Sequence, residues 1–114
     1  MSYKRTLRGV DYLIENEIDF ARDEHGETFA SMHEGAAVIA EEAQEANEEA
    51  ELINRMFDRL WADVRADNSK SAREHAEEIA SHAERLACEA IQVAAMALKF
   101  VDTVEEGEDG REEK

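Results

Sequence analysis

Five carboxylates crowd one short stretch of the chain, Glu41-Glu42-Ala-Gln-Glu45 followed by Glu48 and Glu49. On a helix, Glu42 and Glu45 lie three residues apart and Glu41 and Glu45 four apart, so their side chains project from neighbouring points of one surface. Like charges so placed repel by roughly a few tenths of a kcal/mol per pair. A lysine would remove that cost, yet none lies between Lys4 and Lys70. A second polar group, Glu89 with Gln92 one turn later, is set in the otherwise apolar segment from Leu86 to Leu98. A carboxylate in such surroundings needs a partner. Mg²⁺ is a suitable one, because it takes oxygen ligands, keeps several waters, and needs only two or three carboxylates together with phosphate oxygens. The chemistry such an ion supports is phosphoryl transfer and hydrolysis. The same residues also fit a plain solvated face, with Arg85, four residues before Glu89, offering an ordinary ion pair.

These groups must be positioned by helices. The chain has no proline and only five glycines, and strand patterns are absent. A first amphipathic helix is expected from about Gly9 to Glu24, with Val10, Leu13, Ile14, Ile18 and Ala21 inward and Gly26 ending it in a left-handed cap. Ser31-Met-His-Glu34 is a capping box that starts a second helix. Along that helix Ile39, Ala43, Ala46, Ala50, Ile53, Phe57, Leu60 and Val64 recur at steps of three and four, an apolar seam reaching to about Ala66. The sequence leaves open whether this helix breaks between Glu48 and Glu51. Asp67-Asn-Ser-Lys-Ser71 reads as a turn, and Ser71-Ala-Arg-Glu74 as a second capping box.

The third helix repeats the pattern through Ala76, Ile79, Ala83, Leu86, Ala90, Val93, Ala97, Phe100 and Val104. Opposite that seam runs a mostly polar stripe through His75, Glu78, His82, Arg85, Glu89, Gln92, Met96 and Lys99. His75 and His82 resemble a metal-binding pair in spacing only, and no Glu-x-x-His pair of di-iron type is present. The fold expected is all-α, an antiparallel bundle of three to four long helices forming a single domain over residues 1–104. A charged, glycine-broken tail over 105–114 is expected to be disordered.

Composition narrows the functions. A net charge of -16, from 29 acidic and 13 basic residues, argues against direct nucleic-acid binding, which recruits clustered Lys and Arg. It also means that any phosphate-handling activity must import positive charge, and a bound cation is the obvious source. Much of the hydrophobic fraction is alanine and aromatics are only 6%, so one copy has a thin core that oligomerisation would complete. A single cysteine, no membrane-length apolar run and no signal-type segment point to a cytoplasmic protein with no membrane association.

The stretch from Thr28 to Glu45, with its His33-Glu34-Gly35 lead-in, and the stretch from Glu89 to Phe100 together resemble the MazG-like all-α nucleoside triphosphate pyrophosphohydrolases, particularly small phage and prophage members. The resemblance covers residues 28–47 and 86–104. It implies an all-α pyrophosphatase fold and hydrolysis of a ribo- or deoxynucleoside triphosphate to monophosphate and pyrophosphate. It also implies Mg²⁺, or Mn²⁺, bound by an E-x-x-E motif on one helix and an E-x-x-D motif on a later one. Glu42-Ala-Gln-Glu45 matches the first. Glu89-Ala-Ile-Gln92 matches the second, with Gln92 where the family has aspartate; its amide oxygen can ligate but brings no charge.

By position the resemblance assigns metal ligation to Glu42, Glu45, Glu89 and Gln92, and orientation of the attacking water to Glu41. Nucleotide contacts would come from Lys99 on phosphate, Asp102 on sugar or base, and His33 near the ligand. Each of these three also has a plain reading, as a snorkelling lysine, a solvated acid and a packed residue of the cap region. Trp61 could stack on a base or lie at a subunit interface, whereas Phe57 belongs to the apolar seam. A homodimer or homotetramer is expected. Two rivals share the sequence: a non-enzymatic acidic helical protein that mimics DNA, and an inactive member of the same family.

Overall fold

The computed structural model describes residues 3–112, with side chains throughout that span except at position 25 and from 108 onward. Three helices make up the described residues, α1 (Lys4–His25), α2 (Met32–Arg65) and α3 (Ser69–Glu112), and no strand occurs among them. The all-α expectation holds. Helix α1 begins five residues earlier than expected, because Lys4-Arg-Thr-Leu-Arg8 contains nothing that opposes a helix. At its end Gly26 has φ 88 and ψ 167, with its N–H bonded to the Arg22 carbonyl. The positive φ is as expected of a terminating glycine, but the extended ψ places it outside the left-handed helical region, in backbone space open essentially to glycine alone.

Helix α2 is unbroken over 34 residues, so no interruption occurs near Glu48. Its N-terminus is capped as read, with the Glu34 N–H donating to Ser31 Oγ at 3.1 Å. The cap of α3 differs from the expectation. Asn68 Oδ1, not Ser71, accepts from the Ser71 N–H at 3.2 Å, and Asp67 turns the chain with φ 54, a conformation that aspartate tolerates. Helix α3 runs on to Glu112, through the segment from Glu105 that was expected to be disordered. Glutamate and arginine are good helix formers, and each of the two glycines, Gly107 and Gly110, costs an established helix only about 1 kcal/mol.

Packing divides the chain into two compact units. One comprises the residues up to Glu42 and those from Ile91 on. Its core joins Ala21 of α1, Phe29 of the connecting loop, and Ala95 and Met96 of α3, with Ile18, Val38, Ile39 and Phe100 packed against them. Gly35 is required here, since a Cβ on it would stand 2.7 Å from Phe100 Cδ2 and 2.8 Å from Phe29 Cδ2. The loop is tied down by the Phe29 N–H bonding to Thr103 Oγ1 at 2.9 Å. On α1 Leu13 is exposed rather than inward.

The second unit, Ala43–Ala90, is an antiparallel hairpin of α2 and α3. Its inner faces keep part of the expected apolar seams, with Ala46, Ala50, Ile53 and Leu60 of α2 and Ile79 and Leu86 of α3 half buried as read. The residues of α2 that turn towards α3 include Glu49, Met56 and Asp63, and those of α3 include His75, Ile79, His82 and Leu86. Met56 is the buried hydrophobic of this unit, whereas Phe57 and Val64, read as core, are half exposed at 53% and 51%. Ala43, Ala76, Ala83 and Ala90 are exposed as well. Each contact face is thus shifted towards its polar residues by about half a residue step, roughly 50°, from the one the apolar periodicity suggests.

Candidate metal centre

The polar residues that α3 carries at seven-residue intervals, His75, His82 and Glu89, all face α2. His75 Nδ1 donates to Asp63 Oδ2 at 2.5 Å, and His82 Nδ1 to Glu49 Oε2 at 2.8 Å. Both pairs are largely shielded from solvent. The hydrogen bond from His75 holds the Asp63 carboxyl below the usual carboxylate range, with a bond from Ser71 adding to it and desolvation opposing. The two histidines therefore have carboxylate partners in α2 and form no metal-binding pair. Sequence reading missed Glu49 and Asp63 in this role, although their 14-residue separation, with Met56 midway, is the heptad signal that marks a helix face.

At the third position an acid faces an acid. One carboxylate oxygen of Glu45 lies within 4.8 Å of an oxygen of Glu89, and within 4.8 Å of an oxygen of Glu42, one turn earlier on α2. Glu42 and Glu89 are half buried and Glu45 is exposed. Oxygens bound to one octahedral Mg²⁺ at about 2.1 Å stand about 3.0 Å apart when adjacent and about 4.2 Å when opposite. The observed separations are close enough that a small side-chain rotation would meet that geometry. Oxygen-only donors carrying formal charge are also the right chemistry for a hard cation. No ion pair joins Arg85 to Glu89 among the described residues.

In the first unit a cavity of about 490 Å³ is bounded by apolar side chains, including Phe20, Phe29, Val38 and Met96, and by Glu17, Glu34, Glu42, Gln92 and Lys99. Lys99 is not a snorkelling surface residue. It is 4% exposed, and its ammonium sits 4.5 Å from the centroid of the Phe29 ring. A cation–π contact offsets part of the cost of burying that charge. One turn later the Thr103 hydroxyl donates to the Lys99 carbonyl at 2.9 Å.

Of the other residues assigned by position, Gln92 lines this cavity and Glu41 is exposed on α2 beside Glu42. Asp102 is part-exposed. It forms an ion pair with Arg22 of α1, which locks α3 to that helix. His33 is exposed in the first turn of α2 and is not among the residues that line the cavity. Trp61 is 51% exposed on α2 and also lies apart from that lining. No helix is long and apolar enough to cross a membrane among the described residues. No protein-family model, curated protein or solved structure matches the chain.

Proposed function

We propose that the chain is a metal-dependent nucleotide pyrophosphohydrolase of MazG-like type, cleaving a nucleoside triphosphate to monophosphate and pyrophosphate. The observation that carries this reading is the approach of Glu45 to both Glu42 and Glu89, with oxygens within 4.8 Å. Those three carboxylates would hold Mg²⁺ or Mn²⁺, with the Gln92 amide oxygen as a neutral fourth donor. Held there, a divalent ion would supply the positive charge and Lewis acidity that triphosphate hydrolysis needs. Glu41, exposed beside the cluster, orients the water that attacks phosphorus as pyrophosphate leaves. The buried ammonium of Lys99 supplies the positive charge that a chain of net charge -16 otherwise lacks for a triphosphate.

The test is pyrophosphate release from a panel of ribo- and deoxynucleoside triphosphates with Mg²⁺ or Mn²⁺, comparing the wild type with Glu45→Gln. Release should require metal and fall by about 1000-fold or more in the variant, since removing a ligand charge removes both the ion and its stabilisation of the transition state. No release from any substrate, combined with no metal-induced rise in Tm, would sink the proposal.

A further inference from the structure

The cavity of about 490 Å³ lies wholly within the first unit, and its lining divides by depth. Ala21, Phe29, Met96 and Lys99 are buried and make its floor. Glu17, Glu34, Glu42 and Gln92 are half buried or exposed and stand at its rim. The floor is therefore apolar except for one group, the Lys99 ammonium, and the carboxylates of the lining are all at the rim. An ammonium at the bottom of an apolar cavity is costly to desolvate. Contact with the Phe29 ring offsets part of that cost, but among the described residues the ammonium makes no hydrogen bond and no ion pair. Its N–H donors are left at the floor with no acceptor from the chain.

Rim and floor are also well apart. Gln92 and Lys99 are seven residues apart on α3, about 10 Å at about 1.5 Å per residue, and Glu42 and Glu34 are eight apart on α2, about 12 Å. A nucleotide held by a metal at Glu42 and Gln92 keeps its phosphates at that rim and has the length of its sugar and base with which to reach the floor. Phosphates, strongly hydrated, suit the rim, and a flat heterocycle suits apolar walls. Phe20 of α1, exposed in the same lining, offers a ring for the heterocycle to lie against.

The floor then meets the leading edge of the base with donors only. Guanine and hypoxanthine carry two acceptors side by side, O6 and N7, the pair that a lysine takes when it reads guanine in a DNA groove. Adenine has an amino group in place of O6, so two donors would face each other in a shielded site. Cytosine has the same fault, and uracil offers a single carbonyl oxygen on a smaller ring. We propose that Lys99 selects 6-oxopurine nucleotides by donating to O6 and N7 of the base, an assignment that rests on the nucleotide reading of this site. The resemblance puts Lys99 on phosphate, whereas its depth gives its N–H groups to the base. The base is neutral, so the ammonium keeps its charge and its field on the triphosphate.

The test is calorimetric titration of the full chain, without metal, with inosine and adenosine, which differ at position 6 of the ring and in the N1 proton that goes with it. Inosine should bind at least about 10-fold more tightly. 7-Deazainosine, which lacks the N7 acceptor, should lose most of that margin. Lys99→Met, which keeps the length of the side chain and removes its donors, should bring inosine and adenosine to near equality. The 7-deaza comparison uses the wild-type chain and stands even if Lys99→Met fails to fold. Equal binding of inosine and adenosine by the wild type overturns the proposal. So does a preference that Lys99→Met retains, or no binding of either nucleoside. Hydrolysis is read separately. A preference for inosine in a chain that releases no pyrophosphate sinks only the hydrolase reading, whereas inosine and adenosine triphosphates cleaved at equal kcat/KM sink only the base assignment.

Discussion

Three times along the α2–α3 hairpin a polar side chain of one helix meets one of the other, and the three meetings are not alike. Near the turn Asp63 bonds His75, and midway Glu49 bonds His82. Farthest from the turn Glu45 approaches Glu89. In the first two a donor sits opposite an acceptor, which is how a shielded carboxylate is satisfied within a fold. In the third a carboxylate stands within reach of another carboxylate, and the oxygens are close enough for a shared cation to take both. The proposed metal centre is therefore the position where the pattern of acid against histidine stops.

The comparison breaks if the third position can be made like the others at no functional cost. Glu89→His should turn Glu45–Glu89 into an acid–histidine pair. The expected outcome is loss of the metal-induced rise in Tm and a fall in pyrophosphate release of at least about 100-fold, while Tm without metal is kept or raised. A variant that still responds to Mg²⁺ like the wild type would remove Glu89 from the site.

The converse change makes a structural position resemble the proposed site. His82→Glu places a second carboxylate against Glu49, and with both side chains largely shielded the repulsion should cost on the order of 2–4 kcal/mol. Chemical denaturation with and without Mg²⁺ measures it, and a partial recovery with metal would show that an opposed acid pair is enough to recruit the ion. His82→Ala, which only deletes the partner, should cost less, about 1–3 kcal/mol, for the hydrogen bond that Glu49 loses. Equal losses for the two variants would mean that repulsion adds nothing at this position.

Much of this arrangement was legible in the residues, and the parts that were not share a cause. The three helices, the Ser31 cap and the adjacency of Glu42 and Glu45 follow from spacing and local hydrogen bonding, which act within a few residues, whereas Glu89 joined them only through the family resemblance. The inner faces of the hairpin followed only in part, through Ile53 and Leu60 of α2 and Ile79 and Leu86 of α3. Apolar periodicity in α2 pointed to Phe57 and Val64, but the side turned to α3 runs through Glu49, Met56 and Asp63. Periodicity reports which face is apolar and not what covers it. The snorkelling alternative for Lys99 failed because the Phe29 ring that its ammonium faces is 70 residues earlier in the chain.

The smallest expected effect concerns pH, and it sharpens the difference between the two acid–histidine positions. At Asp63 the bond from His75 lowers the carboxyl below its ordinary value of 3.8. A group whose pKa is lower in the folded chain than in the unfolded one contributes stability that is present above the unfolded pKa and is lost as pH falls through the folded one. The contribution of Asp63 should therefore be intact at neutral pH and decline only below about pH 4. Tm measured from pH 6 downward should fall more gently there in Asp63→Asn than in the wild type, because the variant has no carboxyl to protonate at that position. If the two curves run parallel through that window, the Asp63–His75 bond adds no stability beyond what water would give the same groups.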